Sequence, residues 1–280
     1  MPESALNTAK LTKFYEELSP TLETVKEALA VAGIDPEHAH ASDLYERDID
    51  CHNLGMFPMV QLVANVAAEY AVPDPDDVVL DVGCGLGGPS RYLADRFGCS
   101  VVGVDLVPLR VEIAEQLAAL TGSADRVSYR VADATALDFD DMSFAQVWML
   151  DVSMHIRDKR ALFDEIARVM RPDGLMVMHE QTGPLPAAMR PAKRQAPYIA
   201  PALLQLIRYI ENAQLRMLTW RDTTNLALDY FLGMRDLLLG ASEPVESRRE
   251  TGVPILDGYL ETFAHLNGCT GVFVARRRQQ

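Results

Sequence analysis

The chain has 280 residues, 49% of them hydrophobic, so it can bury a full core as one large domain with an elaboration. Its formal net charge of −14 argues against a nucleic-acid partner, because phosphate binding requires concentrated positive charge. The four cysteines show no paired metal-ligand spacing, and no segment has the pattern of a signal peptide or a membrane span. We therefore expect a soluble protein of a reducing, cytoplasmic compartment.

The first part of the chain is predicted to be helical. Apolar residues at helical spacing over residues 4–32 indicate two helices, which Pro20 separates because proline interrupts a helix interior. Residues 42–55 are predicted to be irregular, and a further helix is predicted at 58–70. A helical segment therefore precedes the first strand.

Further along, short apolar runs alternate with segments of helical spacing, which is typical of a parallel sheet with right-handed crossovers. The strands are predicted at 78–82, 100–105, 127–131, 145–150 and 174–179, with helices between them at 89–97, 108–121 and 157–170. The rest is mixed, with helices at 203–212, 224–239 and 256–266 and strands at 215–220 and 271–276. We divide the chain into a helical cap (1–72), a core (73–182) and an elaboration that completes the sheet (183–280).

The most informative segment, residues 78–90, has the sequence VVLDVGCGLGGPS. An unbroken aliphatic strand leads into four glycines, which let the backbone turn tightly and approach a ligand. Pro89 then opens a helix, where a proline is tolerated in the first turn. The next strand ends at Asp105, whose carboxylate can accept hydrogen bonds from both hydroxyls of a ribose. The pattern predicts a βαβ unit that binds a nucleoside.

Two classes of nucleoside cofactor fit these glycines. Gly83, Gly85 and Gly88 satisfy the dinucleotide pattern G-x-G-x-x-G, with Asp105 at the expected distance. Read from Asp81, the same residues spell D-x-G-x-G-x-G, and a carboxylate there repels a pyrophosphate but suits an ammonium group. The segment resembles motif I of the class I S-adenosylmethionine-dependent methyltransferases, and an NAD-dependent dehydrogenase is the alternative.

The resemblance extends from about residue 43 to residue 275 and includes RVADA at 130–134 and RPDG at 171–174. It implies an α/β fold: a doubly wound, mostly parallel, seven-stranded Rossmann-like sheet with an N-terminal helical cap and a C-terminal antiparallel edge hairpin. In the small-molecule branch, which includes natural-product and glycine or sarcosine methyltransferases, Asp133 would accept from the adenine amino group and the Ala134 amide would meet a ring nitrogen. The implied contacts to S-adenosyl-L-methionine are Asp81, Gly83, Gly85, Asp105, Leu106, Asp133, Ala134 and Asp151.

Three residues are candidate acid–base groups. His155 and Glu180 follow the predicted carboxyl ends of the fourth and fifth strands, where the ligand crevice of an open parallel sheet lies. Each has a structural alternative, a backbone contact for His155 and a hydrogen-bond acceptor role for Glu180. His52, in the polar segment DIDCHNLG at residues 48–55, is a further base candidate on the cap. Asp50 and His52 could also ligate a metal, but no third ligand follows from the spacing, and we expect none.

Several segments could enclose the site. Tyr15 and Tyr45 could cover the cofactor or pack in the core. Residues 183–201 could act as a lid that excludes water. The aromatic and methionine side chains that follow could shape an apolar acceptor pocket, or could simply pack this region against the sheet.

The resemblance implies methyl transfer to the oxygen, nitrogen or carbon of a small organic acceptor, as in specialised biosynthesis. A C-methyltransferase acting on a prenyl or aromatic acceptor would use Glu180 to remove a proton from a carbocation. A protein that binds the cofactor without catalysis is the alternative from a different class. Neither a nucleic acid nor a membrane is an expected partner, and the sequence is compatible with a homo-oligomer.

Overall fold

The computed structural model describes residues 3–183, 200–240, 256–257, 260, 263 and 268–278. The predicted lid, apart from its two ends, and most of the helix predicted at 256–266 therefore lie outside the described residues. Within the described residues, no helix combines the length and the apolar composition that crossing a membrane requires.

A seven-stranded sheet forms the centre of the molecule, as the sequence predicts. Its spatial order is β3-β2-β1-β4-β5-β7-β6. The first five strands run parallel, and β7 lies antiparallel between β5 and β6. The strands are β1 Val78–Val82, β2 Ser100–Asp105, β3 Val127–Val131, β4 Phe144–Leu150, β5 Met170–Thr182, β6 Leu215–Asp222 and β7 Cys269–Arg277. The edge pair β6–β7 is antiparallel as expected, although a helix rather than a tight turn follows β6.

Nine α-helices flank this sheet within the described residues: α1 Glu3–Leu18, α2 Leu22–Val31, α3 Ala41–Tyr45, α4 Met56–Ala68, α5 Gly88–Phe97, α6 Pro108–Leu120, α7 Lys159–Val169, α8 Leu203–Asn212 and α9 Thr224–Gly240. The break between α1 and α2 falls at Pro20, as predicted, and the Thr21 side chain caps α2. The prediction of an irregular segment over 42–55 is wrong at its start. There His40 and Asp43 close a capping box on α3.

Both faces of the central strands are buried, which explains why β1, β4 and residues 175–178 of β5 are nearly continuous apolar runs. On one face α4 and α5 pack on the sheet through side chains such as Val60, Leu93 and Trp148. On the other face α7 and α8 contribute Phe163 and Ile210, among others. The carboxyl ends of β1, β2 and β4 are left uncovered by these layers and open into one cavity.

The described side chains of the region after β5 pack mainly against the sheet and against one another. Trp220 and Met217 of β6 and Tyr209 of α8 lie against the same core cluster as α7, and Phe231 stacks on Phe263. Tyr45 likewise packs between aromatic neighbours in the core, so of the two tyrosines singled out only Tyr15 reaches the cavity.

Candidate active site

The loop between β1 and α5 requires glycine for two reasons. Gly83 and Gly87 have φ angles of +71° and +80°, in the left-handed region that other residues rarely adopt. There is also no space for a side chain: a Cβ on Gly83 would lie 2.3 Å from Val152, and one on Gly87 would lie 2.3 Å from the Tyr129 hydroxyl. Val152 and Tyr129 therefore pack tightly against the loop, and the loop backbone lines the cavity.

Asp81, the last residue but one of β1, lies directly under this loop. Its side chain is 2% exposed, and Oδ2 accepts a hydrogen bond of 2.5 Å from the Ser90 hydroxyl in α5. Burial raises the pKa of Asp81 to about 6, although the Ser90 contact works in the opposite direction. A cation beside this carboxylate would therefore stabilise its ionised form.

Asp105 holds the same loop from the neighbouring strand. Its Oδ2 accepts from the Gly85 amide at 3.0 Å and its Oδ1 from the Val107 amide at 2.9 Å. Each carboxylate oxygen retains acceptor capacity, because an ionised carboxylate offers about four lone-pair sites. Asp133 lies in a similar turn, where Oδ1 accepts from the amide and the hydroxyl of Thr135.

The structure brings the predicted cofactor residues together. One cavity is lined by all eight of them and by two of the three acid–base candidates: Asp81, Gly83, Gly85, Asp105, Leu106, Asp133, Ala134, Asp151, His52 and His155. Glu180 is not among the lining residues. Tyr15 and Leu11 of α1 line one side of the cavity.

Asp151 follows β4 with a φ angle of +57°, a strained conformation for a residue with a side chain. The carboxylate is fixed on both oxygens: Oδ2 accepts from the Leu54 amide at 2.6 Å, and Oδ1 lies 2.9 Å from Nδ1 of His179. The other ring nitrogen of His179 lies 3.1 Å from the Thr223 hydroxyl, which in turn contacts Thr270. A buried polar chain thus orients Asp151 from behind the cavity wall.

His155 ends the short 3-10 turn Ser153–His155 after β4 and contacts the cap. Its Nε2 lies 2.8 Å from the hydroxyl of Tyr15, and the two rings meet edge to face. Burial raises the pKa of Tyr15 to about 12, so the phenol keeps its proton at neutral pH. The hydroxyl therefore can donate to Nε2, which makes Nε2 a proton acceptor in this arrangement.

Glu180 does not reach the cavity. The predicted strand ends at residue 179, but β5 continues to Thr182 and pairs Glu180 with Gly271 of β7. The side chain is fully buried and accepts from the amides of Met154 and Gln181. Burial raises the pKa of this carboxyl, with the charge of Asp151 as a further cause. This placement matches the structural alternative, an acceptor that fixes the start of the 3-10 turn.

His52 is also a poor proton acceptor at neutral pH. Its Nδ1 lies 3.2 Å from Nη2 of Arg110, a group that can only donate, so Nδ1 accepts and the proton lies on Nε2. Desolvation by the surrounding protein, together with the charge of Arg110, lowers the pKa of His52 to about 4. The arrangement makes His52 a hydrogen-bond donor toward the cavity rather than a base.

Asp50 and His52 go to different partners, which removes the basis for a shared metal. Asp50 and Arg91 form an ion pair of 2.5 Å with both side chains fully buried. Arg91 also donates to the Leu86 carbonyl and the Tyr129 hydroxyl, so it links the cap to the underside of the glycine loop. Local sequence patterns do not indicate this pair, because its members are 41 residues apart.

Comparisons with known proteins find similar methyltransferases. Residues 80–178 match a family described as methyltransferase domain. The chain is 41% identical over 100 residues to tocopherol O-methyltransferase, chloroplastic, of Arabidopsis thaliana, an alignment that covers 36% of this chain and 29% of that one. The chain spans between 28% and 39% of the length of the first curated relatives that it matches.

Two solved structures share the fold. Geranyl diphosphate C-methyltransferase from Streptomyces coelicolor A3(2) superposes with a TM-score of 0.67 at 21% identity, covering 79% of this chain and 81% of that one. The [4+2]-cyclase SpnF superposes with a TM-score of 0.66 at 20% identity, covering 94% and 98% of the two chains. At these identities both show the fold alone.

The match assigns a methyltransferase domain to residues 80–178, within the seven-stranded sheet that the motifs predicted. The class I S-adenosylmethionine-dependent methyltransferases are the class that the glycine loop resembles. S-adenosyl-L-methionine is the cofactor of this family.

Proposed function

We propose that this protein transfers the methyl group of S-adenosyl-L-methionine to the oxygen, nitrogen or carbon of a small organic acceptor, in a biosynthetic reaction. The observation that carries the proposal is a single cavity that combines the glycine loop, Asp105 and the Tyr15–His155 pair. The core (73–182) would bind the cofactor, the cap (1–72) would cover it, and residues 183–280 would bind the acceptor and complete the sheet. The four cysteines are free, which supports a reducing, cytoplasmic environment.

The charges of the cavity fit this cofactor. Among the described lining residues five are aspartates and one is an arginine. S-adenosyl-L-methionine carries a sulfonium and an ammonium group against one carboxylate, so its net charge is positive. An acidic cavity with one cation matches that distribution.

The binding roles follow from position. Asp105 would accept from the ribose hydroxyls, Asp133 from the adenine amino group, and the Ala134 amide would meet a ring nitrogen. Asp81 and Asp151 would face the ammonium group. When bound, the cofactor supplies a reactive methyl group on a sulfonium, so the chain needs mainly to align the acceptor and exclude water.

His155 is the proposed general base. Its Nε2 would take the proton of an acceptor hydroxyl as the new bond to the methyl carbon forms, or the proton of an acceptor ammonium before the freed nitrogen lone pair attacks that carbon. Tyr15 now holds that nitrogen, and the acceptor would replace the Tyr15 hydroxyl there. A carbon acceptor would instead lose its proton after transfer, and Glu180 is too deeply buried for that step without a rearrangement.

The decisive experiment follows the methyl group. The protein is incubated with isotopically labelled S-adenosyl-L-methionine and either extracts of its source organism or a panel of phenolic, amine and prenyl acceptors. Labelled product and S-adenosyl-L-homocysteine should appear in equal amounts. Cofactor binding without either product in any mixture would favour a non-methylating protein, and thermal stabilisation by NADH alone would favour a dehydrogenase.

Asp105→Ala is expected to weaken cofactor binding at least about tenfold, because hydrogen bonds to a charged group contribute roughly 1.5–3 kcal/mol each. Thermal stability should also fall, since the amides of Gly85 and Val107 lose their acceptor. Calorimetric titration with S-adenosyl-L-methionine measures the affinity. Glu115→Ala, which removes an exposed carboxylate from the neighbouring helix α6, is the control and should bind normally. An unchanged Kd in Asp105→Ala would contradict the ribose assignment.

Cofactor affinity is expected to depend on pH through Asp81. Its pKa is about 6 in the free protein, so below that value the carboxyl is neutral and attracts the ammonium group less. The Kd should rise as pH falls below 6, by up to about tenfold per pH unit. Titrations between pH 5 and 8 check this, and Asp81→Asn should show a weaker, flatter profile. A wild-type Kd that is constant over this range would refute the role of Asp81.

A further inference from the structure

Arg110 is a buried cation that forms no ion pair with any carboxylate of the described residues. It is 7% exposed and lines the cofactor cavity from the first turns of α6. In the described part of the chain no carboxylate lies within ion-pair distance of its guanidinium. Its hydrogen bonds go to uncharged groups instead, from Nε to the Ser19 hydroxyl at 3.3 Å and from Nη2 to His52 at 3.2 Å. Burying a charge without a counter-charge is costly, so the arrangement favours an anion from outside the chain.

The geometry says where that anion would lie. The guanidinium carbon sits 4.3 Å from the centre of the Tyr15 ring, which covers one face of the group. Nη1 takes part in neither hydrogen bond and lies 3.3 Å from the position of a Cβ on Gly85. This nitrogen is therefore next to the glycine loop, on the wall where the cofactor would bind.

His52 adds a second donor at the same place. Because its Nδ1 accepts from Arg110, its proton lies on Nε2, and the ring lines the cavity beside the guanidinium. One charged and one neutral donor thus come from α6 and from the cap. A carboxylate is the group that such a pair binds best, since it offers two acceptor oxygens in one plane.

We propose that Arg110 and His52 form the binding site for the α-carboxylate of S-adenosyl-L-methionine. The inference rests on the proposed function, because it takes this cofactor as the ligand. The proposal also explains why a cavity for a positively charged cofactor is lined by an arginine, the only one among its described lining residues. Arg110 would balance the one negative group that the cofactor carries. The same contact would couple cofactor binding to the cap, since Ser19, Tyr15 and His52 all belong to residues 1–72.

The test compares three ligands by calorimetry on wild-type protein and Arg110→Gln. S-adenosyl-L-methionine has the carboxylate, decarboxylated S-adenosylmethionine lacks only that group, and 5′-methylthioadenosine lacks the whole amino-acid tail. Wild type should bind the decarboxylated ligand roughly ten- to a hundredfold more weakly than the complete one. Arg110→Gln should bind the complete ligand as weakly as wild type binds the decarboxylated one. Its affinity for the other two ligands should be unchanged.

Two further variants sharpen the comparison. Ser19→Ala removes a neutral partner of Arg110 but leaves the charge, so it should keep the wild-type preference for the carboxylate. His52→Phe keeps a ring but removes the Nε2 donor, so it should lose part of that preference. If Arg110→Gln does not fold, Arg110→Met, which also removes the charge and the donors, and His52→Phe provide the same comparison.

The outcomes separate this inference from the proposed function. Equal losses for the complete and decarboxylated ligands in Arg110→Gln, or no preference for the carboxylate in wild type, would overturn the carboxylate site. Either result would leave cofactor binding itself intact. Failure of wild type to bind any of the three ligands would overturn the proposed function instead.

Discussion

Replacing His155 by alanine is expected to lower kcat by about a hundredfold or more, with little change in cofactor affinity. The reason is geometric: His155 is the acid–base candidate whose ring nitrogen lies in the cavity and accepts a hydrogen bond there. Initial rates with the acceptor identified by labelling, together with calorimetric cofactor titration, measure the two quantities. Tyr15→Phe, which keeps the ring but removes the hydroxyl, should cost much less.

Glu180→Gln provides the matched comparison. The amide oxygen of glutamine can still accept from Met154, so the turn that carries His155 should survive the change. We expect near-normal kcat in this variant. A hundredfold loss at normal thermal stability would identify Glu180 as the base, and full activity in both variants would remove proton abstraction from the mechanism.

Asp50→Ala is expected to lower the free energy of unfolding by about 3–5 kcal/mol, because it leaves the Arg91 charge buried and unpaired. Both side chains of this pair are fully buried. Urea denaturation without cofactor measures the effect. The glycine loop should also loosen, because the Asp50 carboxylate packs closely against it. Its Oδ1 lies only 2.6 Å from the position that a Cβ on Gly88 would take.

The exposed pair Arg47–Asp43 supplies the control. Its side chains are 42% and 22% exposed, and such pairs contribute about 1 kcal/mol or less. Asp43→Ala should therefore change stability far less than Asp50→Ala, apart from the loss of its cap on α3. Similar losses of unfolding free energy in both variants would show that the buried Asp50–Arg91 pair contributes no more to stability than the exposed pair.

The local patterns of the sequence predicted the sheet well. The bounds of β1, β2 and β3 agree with the prediction. A buried strand and a glycine turn depend mainly on residues that are neighbours in the sequence, so local patterns predict them. The end of β5 was wrong by three residues. The extension depends on pairing with β7, a strand far along the chain, and this pairing buries Glu180.

The candidate site was predictable only where it follows the strand ends. Asp81, Asp105 and His155 line the cavity because the carboxyl ends of parallel strands meet there. Arg91, Arg110 and His179 were missed because their partners lie 41, 58 and 28 residues away. The spacing of residues along the sequence does not predict which charged side chain the fold will bury.

The position of β7 has a consequence for how such an enzyme could diversify. Thr182 at the end of β5 pairs with Cys269 at the start of β7, so the chain leaves and rejoins this part of the sheet at one point and adds only the edge strand β6 in between. The entropy of closing a flexible connection grows only with the logarithm of its length, about 0.6 kcal/mol per doubling. Insertions in this connection outside α8 and β6, which contribute Ile210 and Leu215 to the core, would therefore cost the core little. New acceptors could thus be acquired by changing residues 183–268 outside these two elements while the matched domain at 80–178 stays constant.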